Sequence, residues 1–311
     1  METNEQKGGV NMCEEQLGHL NTEMRNPRSA DMDKMSIREL LMLMNQEDAK
    51  VISSVREAIP DIEVVIKYVI QALETGGRLI YAGAGTSGRI GVMDAAECAP
   101  TFSAAAEVIA VMAGGSSAFL QAKEGAEDSE ELARDDLKKV GVNEKDVVLA
   151  IAASGRTPYC IGALKYAREM GAVCVSLSCN KNAVLSAYAD AAIEVDAGPE
   201  VLTGSTRLKA GTCQKLILNM ISTVSMIHIG KVYGNYMVDM KATNRKLEDR
   251  AKRIIMDSTE CSEEVALAAL KEAGMSIKTA IVMILTGVSR DEADARLYKE
   301  KGFVRKCVEK A

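Results

Sequence analysis

A repeated alternation between short apolar runs and stretches of helical character restricts this chain more than any other feature. The runs are Arg78-Leu-Ile-Tyr-Ala82, Val108-Ile-Ala-Val-Met112, Asp146-Val-Val-Leu-Ala-Ile-Ala152, Val173-Cys-Val-Ser-Leu177 and Ala192-Ile-Glu-Val195. Segments 87–102, 116–140, 157–170 and 182–190 lie between or beside them and read as helices. Continuous apolar runs of this length belong to strands buried on both faces, and strands separated by helices run parallel. The chain is therefore predicted to be α/β, a three-layer, doubly wound, five-stranded parallel sheet. A hydrophobic content of 47% with only 4% aromatic residues and no Trp suits such a sheet, whose core is mostly Ala, Val, Ile, Leu and Met.

The sheet region, 76–235, is flanked on both sides. Residues 1–20 are polar and aperiodic and are predicted to be disordered; 21–75 form an N-terminal arm and helices; 236–311 form a C-terminal helical region. Pro27 opposes helix in the segment Thr22–Ser29. Ser36 followed by Glu39 has the form of a capping box that opens a helix. After Pro60, Ile62, Val65, Ile66, Val69 and Ile70 make one stripe of a second helix. A long apolar helix is expected over 207–232, broken by Gly234-Asn235, then a more charged helix over 241–255. The tail 261–311 reads as a small three-helix unit, with Ser262 and Ser289 as N-caps and Gly274, Gly287 and Gly302 as stops.

Several function classes are excluded early. The 38 basic residues, against 44 acidic, are scattered and leave no stripe for a nucleic acid. No apolar run approaches the ~20 residues that span a bilayer, and no signal peptide is visible, so a soluble, cytoplasmic protein is expected. The eight cysteines, at 13, 98, 160, 174, 179, 213, 261 and 307, form no CxxC pair and read as small buried hydrophobes rather than disulfides or zinc ligands. His19 and His228 are the only histidines, so no His-dependent triad or metal site is expected.

Ligands of open parallel sheets bind outside the carboxyl ends of the strands. Three segments there share a composition: Gly83-Ala-Gly-Thr-Ser-Gly88 after the first run, Ala153-Ser-Gly-Arg-Thr157 after the third, and Thr203-Gly-Ser-Thr-Arg207 opening the long helix. Each joins glycine, which lets backbone approach a ligand, to Ser or Thr hydroxyls at a helix start, where free amides and the helix dipole favour an anion. One such segment is usually only an N-cap; three at one sheet edge point to a phosphate. Thr86, Ser87, Ser154, Thr157, Ser205 and Thr206 are the candidates for phosphate and sugar hydroxyls. Lys209, one turn into the helix, is either a counter-charge for an anion or a surface lysine. The first segment also matches GxGxxG, but Phe102-Ser-Ala-Ala stands where a ribose-binding carboxylate belongs, and the P-loop pattern is absent, so a nucleotide is not expected.

These loops resemble the sugar isomerase (SIS) domain family. Its GTS and SxSGxT turns hold a phosphate, which implies that role for Ser87, Ser154 and Thr157; Ala152 stands where the longer motif often carries its first serine. A closer resemblance, spanning nearly the whole chain after residue 20, is to the N-acetylmuramic acid 6-phosphate etherase family, through TEMRNP, GAGTSGRIGVMDAAECAPTF, EGAED, IAASGRTPY, TGSTRLKAGTCQK and KVYGNYMVDMKATN. Met24 and Cys160 depart from the usual pattern.

The resemblance implies cleavage of the D-lactyl ether at C3 of N-acetylmuramic acid 6-phosphate in amino-sugar catabolism and cell-wall recycling. The products are N-acetylglucosamine 6-phosphate and D-lactate, and no cofactor or metal is needed. Glu97, in the DAAEC motif, would protonate the departing lactate oxygen, and Glu127, in EGAED, would take the C2 proton. Without the resemblance both are ordinary helix carboxylates. It also implies a homodimer in which side chains of one subunit reach the other's site, with helix 207–232 as an interface element. Two rivals use the same domain: another phosphosugar enzyme, and a sensor such as glucokinase regulatory protein, which carries a second copy of the domain. This chain has one copy and keeps both glutamates.

Overall fold

The structure, a computed structural model, describes residues 20–121, 123, 125–240 and 245–309. The expected disordered start, with Cys13 and His19, lies outside them apart from residue 20.

The five apolar runs form five parallel strands: β1 (Leu79–Gly83), β2 (Val108–Met112), β3 (Val147–Ala152), β4 (Val173–Ser178) and β5 (Ala191–Glu194), in the order β2-β1-β3-β4-β5. Because successive strand residues point to opposite faces, each run feeds two cores. Leu79, Tyr81, Val147, Leu149 and Ile151 face one layer; Ile80, Ala82, Val148, Ala150 and Ala152 face the other. The first layer holds α1 (Ile37–Glu57), α2 (Ile59–Glu74), α3 (Gly85–Phe102) and α7 (Lys209–His228), with α7 packed against the other three. The second holds α5 (Glu130–Lys139) and α6 (Pro158–Glu169). Burial pushes the thiols of Cys98, Cys160 and Cys213 up to about 12, as small core hydrophobes.

Local signals account for most element ends. Ser36 and Glu39 form the expected capping box, and Ser262 and Ser289 cap α9 (Glu263–Glu272) and α11 (Arg290–Lys299). Gly287 ends α10 (Ile277–Thr286) in the left-handed region, where only glycine is unstrained. Four expectations need correction. Segment 116–140 is not one helix: Gly125 (φ +75°) breaks it into α4 (Ser117–Leu120), a 3₁₀ turn at Ala126–Asp128 and α5, which Ser129 caps afresh. Segment 182–190 holds only a 3₁₀ turn, Val184–Tyr188. The long helix ends at His228, and Val232–Tyr233 pairs with Tyr236–Met237 in a hairpin whose turn contains the expected boundary at 235/236. The tail carries four helices rather than three: after Gly302 the chain re-enters helix as α12 (Val304–Glu309), too short to show a periodicity. With α8 (Arg245–Thr259) these helices build a separate apolar cluster around Ile255, Leu270 and Ile281. Residues 241–244 of the expected charged helix are outside the described residues.

The N-terminal arm is fastened to the carboxyl edge of the sheet by buried polar groups. Asn180, after β4, donates to the Thr22 hydroxyl and to the Ala153 carbonyl, both at 3.0 Å. Asn26 donates to Glu47 at 3.0 Å and to the Pro199 carbonyl at 3.1 Å. Glu47 and Lys209 are each 1% exposed and meet at 2.9 Å; the Lys209 ammonium also donates to the Ala197 carbonyl. Burial opposes ionisation of Glu47, but hydrogen bonds from Lys50, Lys209 and Asn26 outweigh it and hold the carboxyl at about 2.

Glu47→Gln should leave the Lys209 charge buried without a counter-charge, a loss of about 3–5 kcal/mol in denaturant unfolding. Because the folded-state pKa lies below the ordinary 4.5, the stabilisation from Glu47 is present above that value and is lost as pH falls towards about 2. The variant's unfolding free energy should therefore fall less steeply across that window than the wild type's.

Candidate functional site

The sheet's connections reverse direction between β1 and β3, since β1 leads outward to β2 and β3 leads the other way to β4 and β5. The crevice at that reversal is where open α/β sheets bind ligands. Gly83 lies opposite Ile151, so the loops leaving β1 and β3 emerge from adjacent strands, about 4.8 Å apart.

The first loop is tightly built. A Cβ on Gly88 would lie 2.6 Å from the Gly83 carbonyl oxygen, and one on Gly83 would lie 2.8 Å from the Gly88 nitrogen. Glycine at both positions lets α3 begin directly against the end of β1. Its first intrahelical bond runs from the Gly88 N–H to the Ala84 carbonyl at 3.0 Å, so the amides of Thr86 and Ser87 precede the ladder at the carboxyl end of β1 and are left without intrahelical partners. Thr86 is half-buried and Ser87 buried.

The second loop presents Ser154 and Thr157, both half-buried, around Gly155 at φ +70°. The Ser154 hydroxyl oxygen accepts from the Arg156 N–H at 3.3 Å, which leaves its own hydrogen free to donate. Thr157 is the N-cap of α6 without a side-chain capping bond.

The third loop departs from the expectation. Ser205 and Thr206 lie in a turn before α7, and the helix starts at Lys209. Its first amides are already taken: the buried Glu200 carboxylate accepts from Lys209 N–H at 3.0 Å and from Ala210 N–H at 2.9 Å. The α7 terminus is thus capped from within, which an isolated reading of Thr203–Arg207 does not reveal. Burial raises the Glu200 carboxyl despite these two bonds. Lys209 is neither a surface residue nor an open cation, because Glu47 neutralises it. The hydroxyl-bearing loops still meet: a Cβ on Gly211 would lie 3.5 Å from Thr86 Cγ2 and 3.6 Å from the Thr206 carbonyl oxygen.

The two candidate carboxylates do not meet within one chain. Glu127, exposed in its 3₁₀ turn, lines a hollow of about 270 Å³ with Gly85, Arg89, Lys123 and Asp128, at the start of α3. Arg89 fixes the near wall, donating to the carbonyls of Ala118 at 2.8 Å and Phe119 at 2.9 Å. Glu97 lies on the same helix but, at 1.5 Å per residue from Thr86, about 16 Å further along its axis. It lines a different hollow of about 440 Å³ with Thr101, Asn219, Thr223, Ile227 and Asn235. The neighbouring Asp94 is structural: buried, it accepts from Tyr81 at 2.8 Å, Asn219 at 2.6 Å and Ser222 at 3.2 Å, and so joins α3 to β1 and α7. Ile227 in that hollow, Met93 one turn before Glu97 on α3 and Met220 on α7 all expose apolar surface.

Residues 61–168 match the family of the glucokinase regulatory protein N-terminal SIS domain. The phosphoheptose isomerase of Neisseria gonorrhoeae is similar in structure at a TM-score of 0.48 and 17% identity, over 61% of this chain and 98% of that one. The N-acetylmuramic acid 6-phosphate etherase of Geobacillus thermodenitrificans is 54% identical over 94% of this chain and 100% of its own length. That of Halalkalibacterium halodurans is 55% identical over 94% of this chain and 98% of its own. Identity at this level, running from the arm through the sheet to the last helices, is shared by the whole architecture and not by one loop: the chain belongs to the N-acetylmuramic acid 6-phosphate etherase family.

Proposed function

We propose that the chain cleaves the D-lactyl ether of N-acetylmuramic acid 6-phosphate, giving N-acetylglucosamine 6-phosphate and D-lactate, in amino-sugar catabolism and cell-wall recycling. The end-to-end identity with etherases carries this reading. The open amides of Thr86 and Ser87, with the hydroxyls of Ser87, Ser154 and Thr157, suit the 6-phosphate; Ser205 and Thr206 suit sugar hydroxyls. A sugar phosphate does not cross a bilayer unaided, which favours a cytoplasmic reaction.

An ether oxygen is a poor leaving group, so the C3–O bond needs activation. Ring opening exposes the C1 aldehyde, which acidifies the C2 proton. Glu127 takes that proton, the electron pair forms the C2–C3 double bond, and the C3–O bond breaks as Glu97 protonates the lactate oxygen. Water then adds at C3 and a proton returns to C2, restoring the saturated aldehyde. Base and acid each contribute on the order of 10²–10⁴-fold in such chemistry.

The separation of the two carboxylates along α3 gives this reading a further requirement. We read the active form as a homodimer in which the α3–α7 face pairs with its copy, covering Met93, Met220 and Ile227, so that Glu97 of the partner subunit serves the hollow that contains Glu127.

Glu97→Ala should exchange the C2 hydrogen with solvent, followed by NMR in deuterium oxide, while releasing no D-lactate; normal lactate release removes Glu97 from the mechanism. Glu97→Ala and Glu127→Ala homodimers, each inactive, should recover about a quarter of wild-type activity after unfolding and refolding together, because half the dimers are mixed and each holds one intact site. Absence of recovery places both carboxylates in one chain.

A further inference from the structure

Arg156 stands apart from the other cations around the crevice. Arg89 is bound to two carbonyls and Lys209 to Glu47. Arg207 and Lys123 are exposed, where water satisfies a charge. Arg156 is half-buried, its Nε is covered from solvent with no hydrogen-bond partner, and its guanidinium makes no ion pair among the described residues. A covered, unbonded nitrogen on a charged group is costly, and native structures keep such groups where a function requires them.

The position of Arg156 narrows that function. It lies between Ser154 and Thr157 at the carboxyl end of β3, next to the loop that leaves β1. Its backbone is held in place: the Arg156 N–H is tied to the Ser154 hydroxyl, and Gly155 sits so close to the Ala183 side chain that a Cβ there would lie 2.5 Å from it. Arg156 thus stands between the hydroxyls of Ser154 and Thr157 with no carboxylate partner among the described residues, and a guanidinium offers paired N–H groups that match a planar anion. The phosphate has the amides and hydroxyls of two loops; the remaining anion of the substrate is the carboxylate of the lactyl group. We propose that Arg156 binds the lactyl carboxylate and so selects a 3-O-lactyl sugar phosphate over a plain one. This inference rests on the etherase reading for the identity of the anion.

The test compares N-acetylmuramic acid 6-phosphate with N-acetylglucosamine 6-phosphate, which keeps the phosphate and lacks the carboxylate. Arg156→Gln should raise KM for lactate release by on the order of 10–100-fold, the range for loss of a charged hydrogen-bonded contact. Its calorimetric Kd for N-acetylglucosamine 6-phosphate should stay within about twofold of the wild type, since the phosphate contacts remain. A general loss of structure would move both ligands together. Arg156→Lys, which keeps the charge without the fork, should show the same discrimination with a smaller rise in KM, and decides the matter if Arg156→Gln does not fold. Equal weakening for both ligands in the folded variants shows no discrimination by the guanidinium for the lactyl carboxylate and overturns the proposal, as does an unchanged KM. If the wild type releases no lactate, the etherase reading falls; calorimetry with the same two ligands then still shows whether Arg156→Gln removes the preference for the lactyl sugar.

Discussion

The arrangement of the site depends on one close approach, that of the first turn of α3 to the end of β1. With backbone atoms at Gly83 and Gly88 this near, no side chain fits at either position, and the helix starts at the sheet edge instead of after a longer loop. Three consequences follow from that contact. The open amides of Thr86 and Ser87 are brought to the crevice between β1 and β3. The wall that bears Glu127 is clamped to α3 through Arg89. Glu97 is set far along a helix whose starting point cannot shift. Helix termini and preformed donors bind anions well because they need little reorganisation, and this geometry fixes the donors before any ligand arrives.

A second buried assembly holds the rest of the edge in register. The arm reaches the sheet through Thr22 and Asn26, and Glu47 on α1 gathers Asn26, Arg28, Lys50 and Lys209. Lys209 and Glu200 together fix the start of α7, one by an ion pair and the other by capping its amides. Removing either partner of such a group exposes the other to an uncompensated low-dielectric environment. The polar residues of the arm and the start of α7 therefore hold the third loop in place.

How much of this the sequence discloses depends on the range of each interaction. The strands were legible because burial on both faces leaves a continuous apolar run, and the capping residues because their partners lie three positions away. The first two loops at the sheet edge were legible as glycine, serine and threonine at strand ends. Glu200 as the cap of α7 was not, because it precedes the helix by an irregular turn and carries no N-cap pattern. The partner of Lys209 is 162 residues away in sequence, so its burial has no local signature. Arg156 was visible only as the variable residue of a loop motif; its unbonded Nε is a property of the packed molecule. Glu97 and Glu127 were read as a pair from family likeness, while their separation follows from the length and direction of α3.

The chemistry proposed for this fold is elimination and re-addition at C3 of a lactyl sugar phosphate. The most direct measurement is turnover of N-acetylmuramic acid 6-phosphate in ¹⁸O-water, with both products analysed by mass spectrometry. Label is expected in the C3 hydroxyl of N-acetylglucosamine 6-phosphate and none in the D-lactate hydroxyl, because the C3–O bond breaks and water refills that carbon. Label in the lactate hydroxyl would mean cleavage on the other side of the ether oxygen and would contradict that chemistry.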